Sequence, residues 1–319
     1  MKTEHYRKLL RITSKVTSKI NPKIRFYVAK FVKIEGFRTL FDPNSIRNYS
    51  RIREKDTLRK VKLIAGCEMY VNLNDIIGFR TALNGSWDDT AFKIVQQFSN
   101  KNTLYIDIGA NIGLTSIPIA NLDYETVAFE PNPVALKLLA QNLTLNAPNR
   151  YYLFPFALGA NIENVEIMDL FMPRGNLGAS SPNFDWSPGV DTLLRFSVPK
   201  ISLDKAVSLL FPQRSLNRFE NVVIKLDVEG HEDSVMEGAE ELIKVKRPIV
   251  IFENNPPKSP KSSGIRFWSN WSNYTFLGIS KFEAEDFDEK KRYENVIAIP
   301  NEKSTLLNKE IILRLIQPS

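Results

Sequence analysis

The chain has 319 residues, 43% hydrophobic and 25% charged, with a formal net charge of +7. This is ordinary globular composition, with length for one large domain or two small ones. No apolar run reaches the roughly 20 residues of a membrane-spanning helix, and a lone cysteine, Cys67, excludes an intrachain disulfide.

The N-terminal segment is where the basic charge lies. Residues 1–60 carry 17 Lys/Arg against 5 Asp/Glu, which leaves the rest of the chain net acidic. Tyr6, Leu9, Leu10, Thr13, Val16 and Ile20 fall near one helical face, as do Ile24, Tyr27, Val28, Phe31 and Ile34. The spacing predicts a basic, helical extension over residues 1–74. Such helices cap a domain or a homo-oligomer with their basic face in water, or they contact an anionic surface. The N-terminus lacks the continuous apolar segment of a signal peptide. With the single cysteine, this makes the cytoplasm the expected compartment.

Residues 61–73 alternate loosely and predict strands. Gly85-Ser-Trp-Asp-Asp89 reads as a turn before a helix over 90–98. From 103 onward strands and helices alternate: strands at 103–108, 125–130 and 151–157, helices at 113–121 and 133–146. Pro131-Asn132-Pro133 punctuates the second strand, with Asn132 as a helix cap. Apolar runs separated by helices predict parallel strands buried on both faces. Residues 162–200 interrupt the rhythm with strands at 165–171 and 196–201. The Gly/Ser/Pro-rich loop 173–190 between them is either a pocket wall or a surface excursion. The alternation resumes with a helix at 203–211, a strand at 221–228, a helix at 231–244 and a strand at 248–253. Segments 276–281 and 295–300 predict a closing antiparallel pair. There is no internal repeat and no low-complexity tract.

Two clusters carry chemistry. In the first, an apolar strand ends at Asp107 and runs into Ile-Gly109-Ala110-Asn111-Ile-Gly113, and a second apolar run ends at Glu130. Strand, glycine loop, helix, strand and acid is the layout of a nucleotide-type cofactor site. An NAD site would carry Gly-x-Gly-x-x-Gly in this loop. The pattern here is Asp-x-Gly-x-Asn-x-Gly. A carboxylate at the strand tip repels a pyrophosphate and suits a cationic sulfonium or ammonium. That favours S-adenosylmethionine (SAM). The alternatives are an NAD-dependent oxidoreductase, or a non-catalytic protein that binds nucleic acid or an anionic surface through residues 1–60.

The second cluster is Val222-Val-Ile-Lys-Leu-Asp-Val-Glu-Gly-His-Glu232. Charges at Lys225, Asp227 and Glu229 on a central strand are costly unless paired or used. Lys225 either pairs with Asp227 or meets ligand. His231 starts the next helix, and Glu232 and Asp233 suit its positive end. Glu253 ends the following strand at the same sheet edge. Ser202 and Asp204 read as capping residues.

These pieces, with Phe129-Glu-Pro-Asn-Pro133, Ala157-Leu-Gly159, Ser202-Leu-Asp204, Arg247-Pro248 and Phe252-Glu253, resemble the FkbM family of SAM-dependent methyltransferases over about residues 75–300. The resemblance implies an α/β, Rossmann-like class I methyltransferase domain over 75–319. Its seven-stranded, mostly parallel sheet would have order 3-2-1-4-5-7-6 with strand 7 antiparallel. It implies that Asp107, Gly109, Ala110, Asn111 and Gly113 hold the methionine part of SAM. Glu130 would take the ribose hydroxyls, with Pro131 and Asn132 beside the adenine, and Ala157 and Leu158 against its ring. Asp227 would sit near the sulfonium and the acceptor. O-methylation of a sugar, polyketide or other small-molecule or glycan acceptor is the implied reaction. Asp227, His231, Glu229 and Glu253 are the candidate bases, His231 because its reference pKa suits neutral pH. Asp227, Glu229 and Glu253 would also suit Mg²⁺, although the spacing requires no metal. Trp87, the 173–190 loop and the 256–275 segment are the candidates for shaping the acceptor pocket.

Overall fold

A computed structural model describes residues 57–97, 102–160, 164–173, 176–182, 193–211, 213–254, 273–280, 283–288, 291 and 293–317. The expected N-terminal helices, most of the 173–190 loop and the 256–272 segment lie outside the described residues. Among the described residues, no helix is long and apolar enough to cross a membrane.

Strands β1 (Leu58–Lys62) and β2 (Glu68–Asn72) form an antiparallel hairpin. The buried Asn142 clamps the hairpin to the next layer. Its Oδ1 accepts from Tyr70 N–H at 2.6 Å, and its Nδ2 donates to the Tyr70 and Ile112 carbonyls. Helix α1 (Ile76–Asn84) follows, capped by Asp75 and ended by Gly85 at φ 75°. It was not anticipated from sequence. Helix α2 (Thr90–Gln97) fits the expectation.

The central layer runs β3 (Thr103–Ile108), α3 (Ser116–Asn121), β4 (Glu125–Phe129), α4 (Pro133–Asn146) and β5 (Tyr151–Phe154). Next come β6 (Ala157–Leu158), β7 (Glu166–Pro173), β8 (Leu193–Ile201), α5 (Leu203–Leu210) and α6 (Gln213–Leu216). The chain continues through β9 (Asn221–Leu226), α7 (Glu232–Glu237), α8 (Glu240–Lys246) and β10 (Ile249–Asn254). It closes with β11 (Tyr274–Ser280), β12 (Glu283–Asp286), β13 (Tyr293–Pro300) and α9 (Lys309–Ile316).

The main sheet has order β12-β11-β13-β10-β9-β3-β4-β5. Strands β5, β4, β3, β9 and β10 are parallel, and β13 is antiparallel to β10 and β11. Read from β5 to β11, this is the expected order 3-2-1-4-5-7-6. The expected count of seven is corrected to eight, because β12 adds an edge strand. Four residues long and mostly acidic, with only Ala284 buried, β12 has no apolar run to announce it.

All six residues of β3 are buried. Leu104, Ile106, Ile224 and Phe252 pack on one face of the sheet; Tyr105, Val223, Ile251 and Ile297 pack on the other. That two-sided burial is why these strands read as unbroken apolar runs.

Two expected elements are divided. Pro155 separates β5 from β6, and β6 joins a second sheet of order β6-β8-β7. The expected helix 231–244 breaks at Gly238, where a Cβ would overlap the Gly159 carbonyl oxygen. Asp204, expected to serve its own helix start, accepts from Glu241 and Leu242 N–H at the start of α8. Ser202 caps α5 as expected.

Candidate functional site

The parallel strands β3, β4, β9 and β10 deliver their carboxyl ends to one edge, and that edge opens on a cavity of about 1170 Å³. Crevices at such edges are where open α/β sheets take ligands.

The glycine loop is built from left-handed residues: Gly109 at φ 84°, Asn111 at 51° and Gly113 at 88°. A Cβ on Gly109 would overlap the Asp227 carbonyl oxygen, so the loops after β3 and β9 pack backbone to backbone. Gly113 is instead packed against Ile117 and Leu139 and does not line the cavity.

Asp107 lines the cavity at 1% exposure, and its Oδ1 has no hydrogen-bond partner among the described residues. Burial pushes its pKa up to about 6, with Lys225 opposing. Asp107 and Lys225 are register partners across β3 and β9. Lys225 Nζ also lies 2.9 Å from Asp227 Oδ2. One buried ammonium thus serves two carboxylates. Burial opposes its charge, but Asp227 and Asp107 together hold its pKa above the usual lysine value. Of the two readings for Lys225, the ion pair is present, and the side chain lines the cavity as well.

Glu130, 5% exposed, organises the other end. Its Oε2 accepts from Asn111 N–H at 2.7 Å and its Oε1 from Asn132 N–H at 2.8 Å. Burial pushes its pKa up to about 7, with the two backbone bonds opposing. Asn132 caps α4 through Oδ1, and its Nδ2 donates to Met172 Sδ and Ser180 Oγ. It stands behind the cavity wall, whereas Pro131, Ala110, Ala157 and Leu158 line it, next to Phe156 and Leu170.

The acid end is formed after β9 and β10. Glu229 adopts φ 51° and Gly230 φ 93°. Glu232 Oε1 accepts from Val228 N–H at 3.3 Å and Gly230 N–H at 3.2 Å, and Ser181 Oγ donates to the Glu229 carbonyl at 2.9 Å. Carboxylate oxygens of Asp227, Glu229 and Glu253 lie within 4.8 Å of one another. That donor set suits a hard cation or a hydroxyl-bearing ligand. His231 lines the same cavity, but burial, aided by Lys200, pushes its pKa down to about 4. The reference pKa that made it a leading base therefore does not hold here: the imidazole is neutral and weakly basic near pH 7.

The expected residues Asp107, Gly109, Ala110, Asn111, Glu130, Pro131, Ala157, Leu158, Asp227, Glu229, His231 and Glu253 share the cavity. Sequence reasoning missed the wall contributed by α1 and β13. Arg80 on α1 sits 5.8 Å from the ring of Trp87, and Asn295 on β13 donates to Asp88 at 3.1 Å. The signal for α1 was present in its ends, an Asp75 cap and a Gly85 stop, but Gly78 inside it obscured the pattern. A Cβ at Gly78 would overlap the Asn72 carbonyl oxygen, which accounts for the glycine.

The family signature described as "Methyltransferase FkbM domain" matches residues 107–288, more than half of the chain. No curated protein matches this chain. Among solved structures, the methyltransferase FkbM from Methylobacillus flagellatus KT is similar at 16% identity and TM-score 0.38, covering 62% of this chain and 43% of that one. This chain therefore spans less than half the length of that protein. An O-methyltransferase from Bacillus cereus in complex with SAH is similar at 12% identity and TM-score 0.36, covering 66% and 80%. The O-methyltransferase TomG from Streptomyces achromogenes, in complex with SAM, is similar at 12% identity and TM-score 0.37, covering 67% and 80%. These structural likenesses are loose, and the family signature carries the assignment.

Proposed function

The chain belongs to the methyltransferase FkbM family, and from that premise we propose that it transfers a methyl group from SAM to a hydroxyl oxygen of a small-molecule or glycan acceptor. The observation that carries the cofactor is the pair of buried carboxylates around the glycine loop. Asp107 lines the cavity, and its buried Oδ1, without a hydrogen-bond partner among the described residues, would accept from the ammonium of the methionine end. Glu130 has one backbone bond on each oxygen, and a carboxylate oxygen has a second lone pair for a ribose hydroxyl. Asp107, Gly109, Ala110 and Asn111 would hold the methionine end, Glu130 and Pro131 the ribose, and the apolar wall of Phe156, Ala157 and Leu158 the adenine. Gly113 and Asn132 act from behind, by packing and by orienting Glu130. Asp107, at the strand tip, disfavours the pyrophosphate of NAD.

SAM, when bound, supplies the electrophilic methyl group. The chain supplies the position of the acceptor oxygen and a place for its proton. Asp227, Glu229 and Glu253 converge on the cavity after β9 and β10 and are the groups for both tasks, with Asp227 first. His231, neutral, accepts a hydrogen bond from an acceptor hydroxyl in a secondary role.

Calorimetry with the full chain tests the cofactor. SAM and S-adenosylhomocysteine should bind, and Glu130→Ala should weaken both at least about tenfold, since two charge-assisted hydroxyl bonds are lost. Failure of both to bind the wild type rules out the reading. Mass spectrometry of products from a panel of hydroxylated metabolites and glycans then tests oxygen as the methylated atom.

A further inference from the structure

One wall of the cavity is a segment that the cofactor scheme leaves without a role. Residues 176–182 follow β7, make a single 3₁₀ turn at Leu177–Ala179, and bridge back to Phe171 through Ser181. Leu177, Gly178, Ser180 and Pro182 line the cavity. Besides the two backbone bonds of that bridge, three hydrogen bonds involving side chains fasten the segment, each to a different part of the fold. Leu177 N–H donates to Asp75 Oδ2 at 2.7 Å, Asn132 Nδ2 donates to Ser180 Oγ at 2.8 Å, and Ser181 Oγ donates to the Glu229 carbonyl at 2.9 Å. Gly178 lies flat against its neighbours: a Cβ there would overlap Ile77 Cδ1 and stand 3.4 Å from Asn111 Nδ2.

Asp75 is buried, and its carboxylate is divided between two tasks. Oδ1 accepts from Ile77 and Gly78 N–H and caps α1, while Oδ2 accepts from Leu177 N–H. Asn or Ser would cap a helix equally well. Only a carboxylate offers an acceptor on both oxygens. The second oxygen, bonded to the segment rather than to the helix, accounts for the choice of aspartate. At its far side the segment meets Asn132, whose own N–H holds Glu130. Through Asn132 the segment therefore reaches the end of the cavity assigned above to the ribose and adenine, while Ser181 ties it to the Glu229 loop.

We propose that residues 176–182 form a strap that retains the nucleoside end of the cofactor, and that Asp75 is the positioning residue that anchors it. This rests on the cofactor reading given above. A strap tied to α1 on one side and to Asn132 on the other acts on cofactor escape, so its signature is the dissociation rate.

Asp75→Asn in the full chain isolates the anchor, because asparagine keeps one oxygen for the α1 cap and turns the other acceptor into a donor facing Leu177 N–H. Surface plasmon resonance with S-adenosylhomocysteine should show dissociation about fivefold faster, the scale of one hydrogen bond, with association within about twofold of wild type. Ser180→Ala, which releases Asn132 from the strap, should shift dissociation in the same direction. Gly85→Ala is the control. It strains the φ 75° stop of the same helix without touching the strap, and should leave dissociation at the wild-type rate. Wild-type dissociation in both Asp75→Asn and Ser180→Ala would overturn the strap, and so would an equal acceleration in Gly85→Ala. A wild type that binds no S-adenosylhomocysteine would overturn the cofactor reading itself, and the strap with it.

Discussion

Lys225 carries more of the site than its place inside a strand suggests. A cation in the sheet interior is costly to desolvate unless it is partnered. Here it lies 2.9 Å from Asp227 and in register with Asp107. Lys225→Met would leave Asp107 buried without its counter-charge and should lower stability by about 3 kcal/mol, read as a lower urea midpoint at unchanged slope. An unchanged midpoint would mean that the pairing contributes nothing net. Glu130 adds a pH dependence of known sign. Its folded pKa, about 7, lies above its ordinary 4.5, so the native protein keeps a proton that the unfolded chain releases. Stability from this group is therefore lost as pH rises from about 4.5 to 7, and the deficit is complete above that window. Asp107 acts in the same direction between 3.8 and about 6, whereas His231, lowered from 6.5 to about 4, costs stability as pH falls. Comparison with Glu130→Gln isolates one group: between pH 5 and 8 the wild type should lose stability relative to the variant. A constant gap in chemical denaturation would refute the shift.

Elements were legible in the sequence where burial on both faces wrote a continuous apolar run. β3, β4, β9 and β10 follow from such runs, and with them the edge at which Asp107, Asp227 and Glu253 meet. The glycine loop was legible because a backbone at φ 84° against a neighbouring carbonyl admits no side chain at Gly109. What stayed hidden depends on contacts distant in sequence. Nothing local says that Gly238 must clear the Gly159 backbone, that Asp204 serves the start of α8, or that Asp75 bonds Leu177. The basicity of His231 stayed hidden for the same reason, since it is lowered by burial and by Lys200 rather than set by its own sequence neighbours. Gly109 gives the sharpest test at this scale. Gly109→Ala should abolish S-adenosylhomocysteine binding while far-ultraviolet circular dichroism stays near wild type, because the clash falls between two loops rather than inside a strand. Retained binding would show that the loops can separate without loss of the site.

The whole sheet decides the charge of the acceptor end. The closing strands bring Glu283 from β12 and Glu294 from β13 to the cavity that already holds Asp88, Asp227, Glu229 and Glu253. The cations lining it among the described residues are Arg80 and Lys225, and Lys225 is paired with Asp227. The eighth strand, invisible as an apolar run, thus enters the chemistry through its charge. Like charges facing one another in a partly enclosed cleft exclude anionic ligands more strongly than they would in bulk water. Neutral or amino-bearing polyhydroxylated acceptors should therefore be methylated in preference to their phosphorylated counterparts, read as transfer of label from SAM to matched pairs of sugars. Reversing two of these charges, with Glu283→Lys and Glu294→Lys together, should narrow or invert that preference and leave S-adenosylhomocysteine affinity within about twofold, because neither residue is near Glu130 in the cofactor scheme. Equal transfer to both members of each pair by the wild type would place the acceptor outside the field of these carboxylates.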